Sequence, residues 1–170
     1  SVGIRSDDVA YEFFVQDPDR QYIRQLLVKD GIGDGQPIIV LCPAGNWPPK
    51  RWPVKNFAAL ADALAEKFGA KIVLSAAKKD LRIVEDIRSV MAAVPVIMAG
   101  RTDLKQLGAL LERAILVVAN DTGPMHMSVA IGTRTIALFG PTSASLTGPC
   151  GRGDYRVISR NKSCEVPCYN

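Results

Sequence analysis

No apolar run in this sequence approaches the roughly 20 residues that cross a bilayer, and its start lacks the charged-then-apolar pattern of a secretion signal. Those absences disfavour an integral membrane protein and point to a soluble, cytosolic domain. Cysteine is scarce: Cys42, Cys150, Cys164 and Cys168 are too few and too scattered for a disulfide framework. Cys42 is expected to face the core. Cys164 and Cys168 would need Cys150 and His126 to complete a metal site, so reduced, packed thiols are the preferred reading. His126 is the only histidine, which leaves no histidine pair and no serine–histidine triad to be tested by spacing. Basic residues are spread among acidic ones at a net charge of +4, which argues against a general nucleic-acid binder. There is no internal repeat and no low-complexity tract. Two glycine signatures are also missing after the first expected strand: G-x-G-x-x-G and the P-loop ending in Gly-Lys-Ser or Gly-Lys-Thr. A dehydrogenase and a P-loop NTPase are thereby disfavoured. Gly31-Ile-Gly33-Asp-Gly35 precedes the strand and reads as a linker.

What the chain does have is 170 residues, nearly half of them apolar, enough for one domain with a substantial core. Residues 1–36 read as a connector followed by a helix over Arg20–Lys29, with Asp17-Pro18-Asp19 supplying an N-cap and a first-turn acid. The same pair has the form of an acidic metal motif, but it precedes a helix and does not end a strand. From Pro37 the pattern alternates. Strands are expected at 37–42, 71–74, 94–98, 115–119, 135–139 and 155–159, and helices at 54–68, 80–91, 103–113 and 124–131. Such alternation implies right-handed crossovers and an α/β, Rossmann-like doubly wound parallel sheet, here over residues 37–170. Ligands of such sheets sit beyond the carboxyl ends of the strands, so the loops after the first, fourth and fifth strands matter most.

Those loops are the unusual ones. Pro43 to Pro53 carries Trp47, Lys50, Arg51 and Trp52 among prolines. Lys50 and Arg51 are either solvated charges or the cations that neutralise a diphosphate; the two tryptophans must cover the domain's own core or a partner domain. If uncovered, they predict self-association. Asn120-Asp121-Thr122-Gly123-Pro124-Met125-His126 reads as strand end, tight loop and helix start. There Thr122 can cap, Gly123 admits a ligand to the backbone and Pro124 suits the first helical position, where its missing N–H would have no partner. Free N–H groups and the positive helix end favour phosphate, whereas the Asp121 carboxylate is suited to sugar hydroxyls. A phosphorylated sugar satisfies both. His126 in that first turn is either structural or a phosphate contact.

With Lys50-Arg51-Trp52-Pro53, Asn120 to His126, and Leu138-Phe139-Gly140-Pro141-Thr142 in order on one α/β pattern, the sequence resembles family 9 glycosyltransferases, the heptosyltransferases of lipopolysaccharide core synthesis. The resemblance runs from about Pro37 to Cys168. It implies a GT-B enzyme in which two Rossmann-like domains face each other. This chain resembles the C-terminal, donor-binding half, inactive alone, with the N-terminal domain missing. It further implies an ADP-heptose donor, inversion at the anomeric carbon, no cofactor and no metal. The acceptor would be a lipopolysaccharide core held by the missing domain, at the cytoplasmic face of the inner membrane, with at most peripheral membrane association and no nucleic acid.

By motif, Lys50, Thr122, Gly123 and His126 resemble the donor-phosphate contacts and Asp121 the carboxylate that holds the transferred sugar. Gly100 and Thr102 resemble the segment along which the adenine lies, and Asp80 stands where relatives use an acid on the ribose. Lys78 and Lys79 depart from that pattern. The general base belongs to the other domain, so no catalytic residue is assigned here. Two competing readings stand beside this one: a non-catalytic nucleotide or nucleotide-sugar binding module, and a sugar-nucleotide epimerase or hydrolase on a similar fold.

Overall fold

The computed structural model describes residues 11–151 and 153–159. Helix α1 (Asp17–Lys29) leads into β1 (Ile38–Cys42), and then come α2 (Val54–Phe68), β2 (Lys71–Leu74), α3 (Leu81–Val90), β3 (Val96–Ile97) and α4 (Leu104–Arg113). The chain continues through β4 (Leu116–Asn120), α5 (Gly123–Ile131), β5 (Thr135–Phe139), α6 (Ala144–Thr147) and β6 (Tyr155–Ser159). All strand pairings are parallel, in the order β3-β2-β1-β4-β5-β6. This is the doubly wound arrangement expected from the alternation. Its strand order reverses between β1 and β4, which opens a crevice above their carboxyl ends.

Central strands are apolar because both faces are covered. Every residue of β1 is buried, and alternate side chains enter opposite cores. Ile38 and Val40 meet α1, α4 and α5 through Ile23, Leu27, Leu110 and Met125. Ile39 and Leu41 meet α2 and α3 through Phe57, Ala61, Val84 and Ile87. Helix α1 is therefore part of the core, although its sequence stands outside the strand–helix repeat.

Local chemistry sets most of the ends. Gly69 closes α2 in the left-handed region at φ 59°, a conformation with little cost for glycine. Asp103 opens α4 with a reciprocal capping box, accepting from the Gln106 N–H at 2.8 Å while its own N–H donates to Gln106 Oε1 at 3.0 Å. Three expectations shift. Asp17 is not the cap of α1: Gln16 holds that position, and Asp17 and Asp19 are both first-turn acids, where they complement the helix dipole. Strand β3 shrinks to two residues because it lies at the sheet edge, with Val94 81% exposed and pairing limited to Val73↔Val96 and Leu74↔Ile97. Before α3, residues Lys78–Asp80 form a separate 3₁₀ turn.

Candidate functional site

The loops after β1, β2 and β3 and the first turn of α5 surround a cleft of about 370 Å³. Among its walls are Asn46, Ser75, Asp80, Thr102 and Thr122. Asp80 and Thr102, expected near a nucleoside, thus face the same space as Thr122, expected near phosphate. Lys79 also lines it and donates to Asn46 Oδ1 at 2.8 Å, bridging the loops after β1 and β2. Gly100 is placed differently. Its N–H is taken by the Ala76 carbonyl at 3.0 Å, and at φ 71° a side chain there would be strained and would meet Lys78 Cβ at 2.9 Å. Gly100 lets the loops after β2 and β3 close together.

Beside the cleft, Lys50 and Asp121 form an ion pair of 2.7 Å. Asp121 is 5% exposed, while a quarter of the Lys50 side chain remains accessible. The same oxygen, Oδ2, accepts from Thr142 Oγ1 at 2.7 Å. Thr147 Oγ1 lies 3.4 Å from it and 3.3 Å from the Ser143 carbonyl, and its one proton serves either. Among the described residues no group donates to Oδ1. Three segments distant in sequence therefore converge on one carboxylate: the turn after β1, the end of β4 and the loop into α6.

Thr122 occupies the cap position of α5 with extended backbone, but its hydroxyl donates to the Asn120 carbonyl at 3.1 Å and caps nothing. No side chain thus competes for the first-turn N–H groups of α5. Gly123 is exposed, with nothing within 4 Å of where a Cβ would stand, so a ligand can reach the backbone there. His126 is exposed on the same turn and is not among the residues that line the cleft. Arg51 does not join Lys50. Its Nε donates to the Gly45 carbonyl at 2.7 Å, folding the β1 loop on itself.

Trp52 stacks edge-on against Phe57, with ring centroids 5.2 Å apart and planes at 80°. It covers the domain's own core. Trp47 is likewise half-buried, while the neighbouring Pro48 and Pro49 are exposed, so the two tryptophans are not bare as the expected self-association assumed. The Cys164 and Cys168 reading lies outside the described residues.

Cys42 does face the core at the end of β1, and burial pushes its thiol up to about 12. It should stay protonated and unreactive toward maleimide at about pH 8, while exposed Cys150 is modified. Peptide mapping by mass spectrometry checks this; equal labelling of both in the native protein would show that Cys42 opens to solvent.

Two contributors escaped the sequence reading. Thr142 was visible in Phe-Gly-Pro-Thr after a strand, yet nothing local indicates that its hydroxyl reaches Asp121. Asn120 is wholly buried, and both ends of its amide are used. A further cleft of about 330 Å³ lies between α1 and α4, remote from these motifs. Arg20 pairs there with Glu112 and Arg24 with Asp34, while Arg113 donates to the Gln36 carbonyl at 2.7 Å.

The sequence model of glycosyltransferase family 9 (heptosyltransferase) matches residues 1–169. The chain is 39% identical over 126 residues to lipooligosaccharide heptosyltransferase 2 of Haemophilus ducreyi, covering 70% of this chain and 36% of that protein. Among solved structures, a family 9 glycosyl transferase from Veillonella parvula superposes with a TM-score of 0.85 at 26% identity, over 94% of this chain and 45% of that one. The E. coli ADP-heptose lps heptosyltransferase II superposes with a TM-score of 0.76 at 29% identity, over 86% and 44%. The chain spans less than half the length of each of these relatives.

Proposed function

This chain belongs to glycosyltransferase family 9, and from that premise we propose that it is the nucleotide-sugar-binding half of an enzyme transferring heptose from ADP-heptose to a lipopolysaccharide core acceptor. The observation that carries the proposal is the Lys50–Asp121 pair beside the crevice at the strand-order switch. The nucleoside lies in the 370 Å³ cleft near Asp80 and Thr102, and the diphosphate meets the open first turn of α5 at Thr122 and Gly123. His126, exposed on that turn, flanks the phosphates. Oδ1 of Asp121 accepts from hydroxyls of the sugar while Oδ2 is held by Lys50 and Thr142.

Transfer proceeds by in-line attack of the acceptor hydroxyl on the anomeric carbon, with inversion. The bond to the diphosphate breaks, and the leaving group gains charge that Lys50 and the helix N-terminus stabilise. These groups supply the positive charge without a metal. The base that takes the acceptor proton belongs to a second domain, so the isolated chain binds donor and does not transfer it. Within GT-B enzymes the crevice would face that domain.

Calorimetric titration with ADP, UDP and ADP-heptose in the presence of a chelator tests the reading. ADP should bind in preference to UDP, and Lys50→Ala should weaken ADP binding roughly 10- to 100-fold, the loss of one charge-assisted hydrogen bond. Preference for UDP would remove the ADP-heptose assignment. An unchanged affinity in Lys50→Ala would remove Lys50 from the phosphate site.

A further inference from the structure

We propose that Asn120 is the positioning residue that sets Lys50 against Asp121. The inference rests on the reading of Lys50 as a donor-phosphate contact and adds a residue that does not itself touch the donor.

The loop carrying Lys50 leaves β1 at Pro43 and runs to Trp52, just before α2. Both ends present a main-chain group that needs a partner: a carbonyl at Pro43, and an N–H at Trp52. Asn120 meets both. Its Nδ2 donates to the Pro43 carbonyl at 2.7 Å, and its Oδ1 accepts from the Trp52 N–H at 3.2 Å. Asn120 is 0% exposed, so neither bond is replaced cheaply by water. It is also the last residue of β4, and the next residue is Asp121. One amide therefore holds both ends of the Lys50 loop to the strand that delivers the partner of Lys50.

The residue type follows from this task. Only a side chain with a donor and an acceptor about one amide apart serves both ends: aspartate lacks the donor, leucine lacks both, and the shorter serine offers a single hydroxyl. The rest of the loop is internally tied, by Arg51 Nε to the Gly45 carbonyl at 2.7 Å and the Lys50 N–H to the Trp47 carbonyl at 3.0 Å. Its middle is held to the loop after β2 by Lys79, which donates to Asn46 Oδ1 at 2.8 Å, and Asn120 secures the two ends of this tied segment.

A double-mutant cycle of Asn120→Ala and Lys50→Ala, read both by ADP titration and by urea unfolding without ligand, separates positioning from general structural support. Asn120→Ala should weaken ADP binding about 10-fold in the wild-type background and less than 2-fold when Lys50 is already alanine. The unfolding equilibrium should show the same non-additivity, since the second substitution finds the Lys50–Asp121 pair already gone. Additive effects in both readouts, or an Asn120→Ala protein with unchanged affinity and stability, would overturn the proposal. Non-additive unfolding without ADP binding would leave the positioning role standing and remove the donor-site reading. Coupled ADP affinities with additive unfolding would still establish positioning for binding. If Asn120→Ala does not fold, Asn120→Ser enters the same cycle.

Discussion

Asp121→Ala is expected to lower kcat/KM of the full-length enzyme for ADP-heptose by about 100-fold or more, on the order of 3 kcal/mol of transition-state stabilisation. The carboxylate is nearly inaccessible and receives Lys50 and Thr142, each at 2.7 Å. Its removal leaves the Thr142 hydroxyl, 7% exposed, without its acceptor and the Lys50 ammonium without its counter-charge. The sugar simultaneously loses the Oδ1 acceptor. Folding stability should fall too, by about 2 kcal/mol, less than for a fully buried pair because Lys50 keeps partial access to water. Asp121→Asn distinguishes the two effects. The amide retains an acceptor for Thr142 and recovers part of the stability, while the missing charge leaves Lys50 without its counter-ion and keeps turnover low. Steady-state kinetics beside urea unfolding measures both, and a kcat/KM within about threefold of wild type for Asp121→Ala would dismiss the sugar-binding role.

The largest stability effect is expected at Phe57. This residue of α2 has no exposed surface and fills the core between that helix and the Ile39 and Leu41 face of β1. Its truncation to alanine removes a large apolar side chain and leaves a cavity, a change that costs about 3–5 kcal/mol. Because Trp52 rests edge-on against the same ring, the cavity opens beneath the loop that carries Lys50. The midpoint of urea unfolding should move sharply to lower denaturant, and native tryptophan emission should shift as Trp52 loses its neighbour. A loss below about 1 kcal/mol would mean that the site collapses around the gap. Unchanged emission would mean that Trp52 is held by other contacts.

The accuracy of the strand and helix limits varied with the kind of signal present. Strands β2, β5 and β6 and helix α2 have the limits expected from their apolar runs and from Gly69, since each signal lies within the segment it delimits. Strand β3 is shorter than its apolar run because an edge strand is defined by one neighbour's register. The four-residue α6 went unseen in a loop, as such a helix has no periodicity to detect. At the corner after β4, α5 begins at Gly123, one residue before the expected start at Pro124, and the Thr122 hydroxyl turns to the Asn120 carbonyl, a choice between two nearby partners that residue type leaves open.

The candidate site divides in the same way. Lys50 and Asp121 stood out by motif, because each lies in a loop whose composition departs from its surroundings, whereas Thr142 was only part of a motif with no contact of its own assigned. That they meet on one oxygen depends on β1, β4 and β5 being neighbours in the sheet. Alternating strands and helices are compatible with many strand orders. Only the assembled sheet selects one, by which faces bury most apolar surface together. The role of Asn120 is of this second kind as well: its neighbours in sequence are a buried strand and a loop, and its two partners come from the ends of a different loop. The sequence by itself determined the α/β class, the limits of the elements that carry their own signals, such as β2, β5 and α2, and the family, because periodicity, glycine stops and short motifs are local properties. Tertiary structure alone decided which of the marked residues share a charge, a hydrogen bond or a cleft, because those depend on packing between segments far apart in the chain.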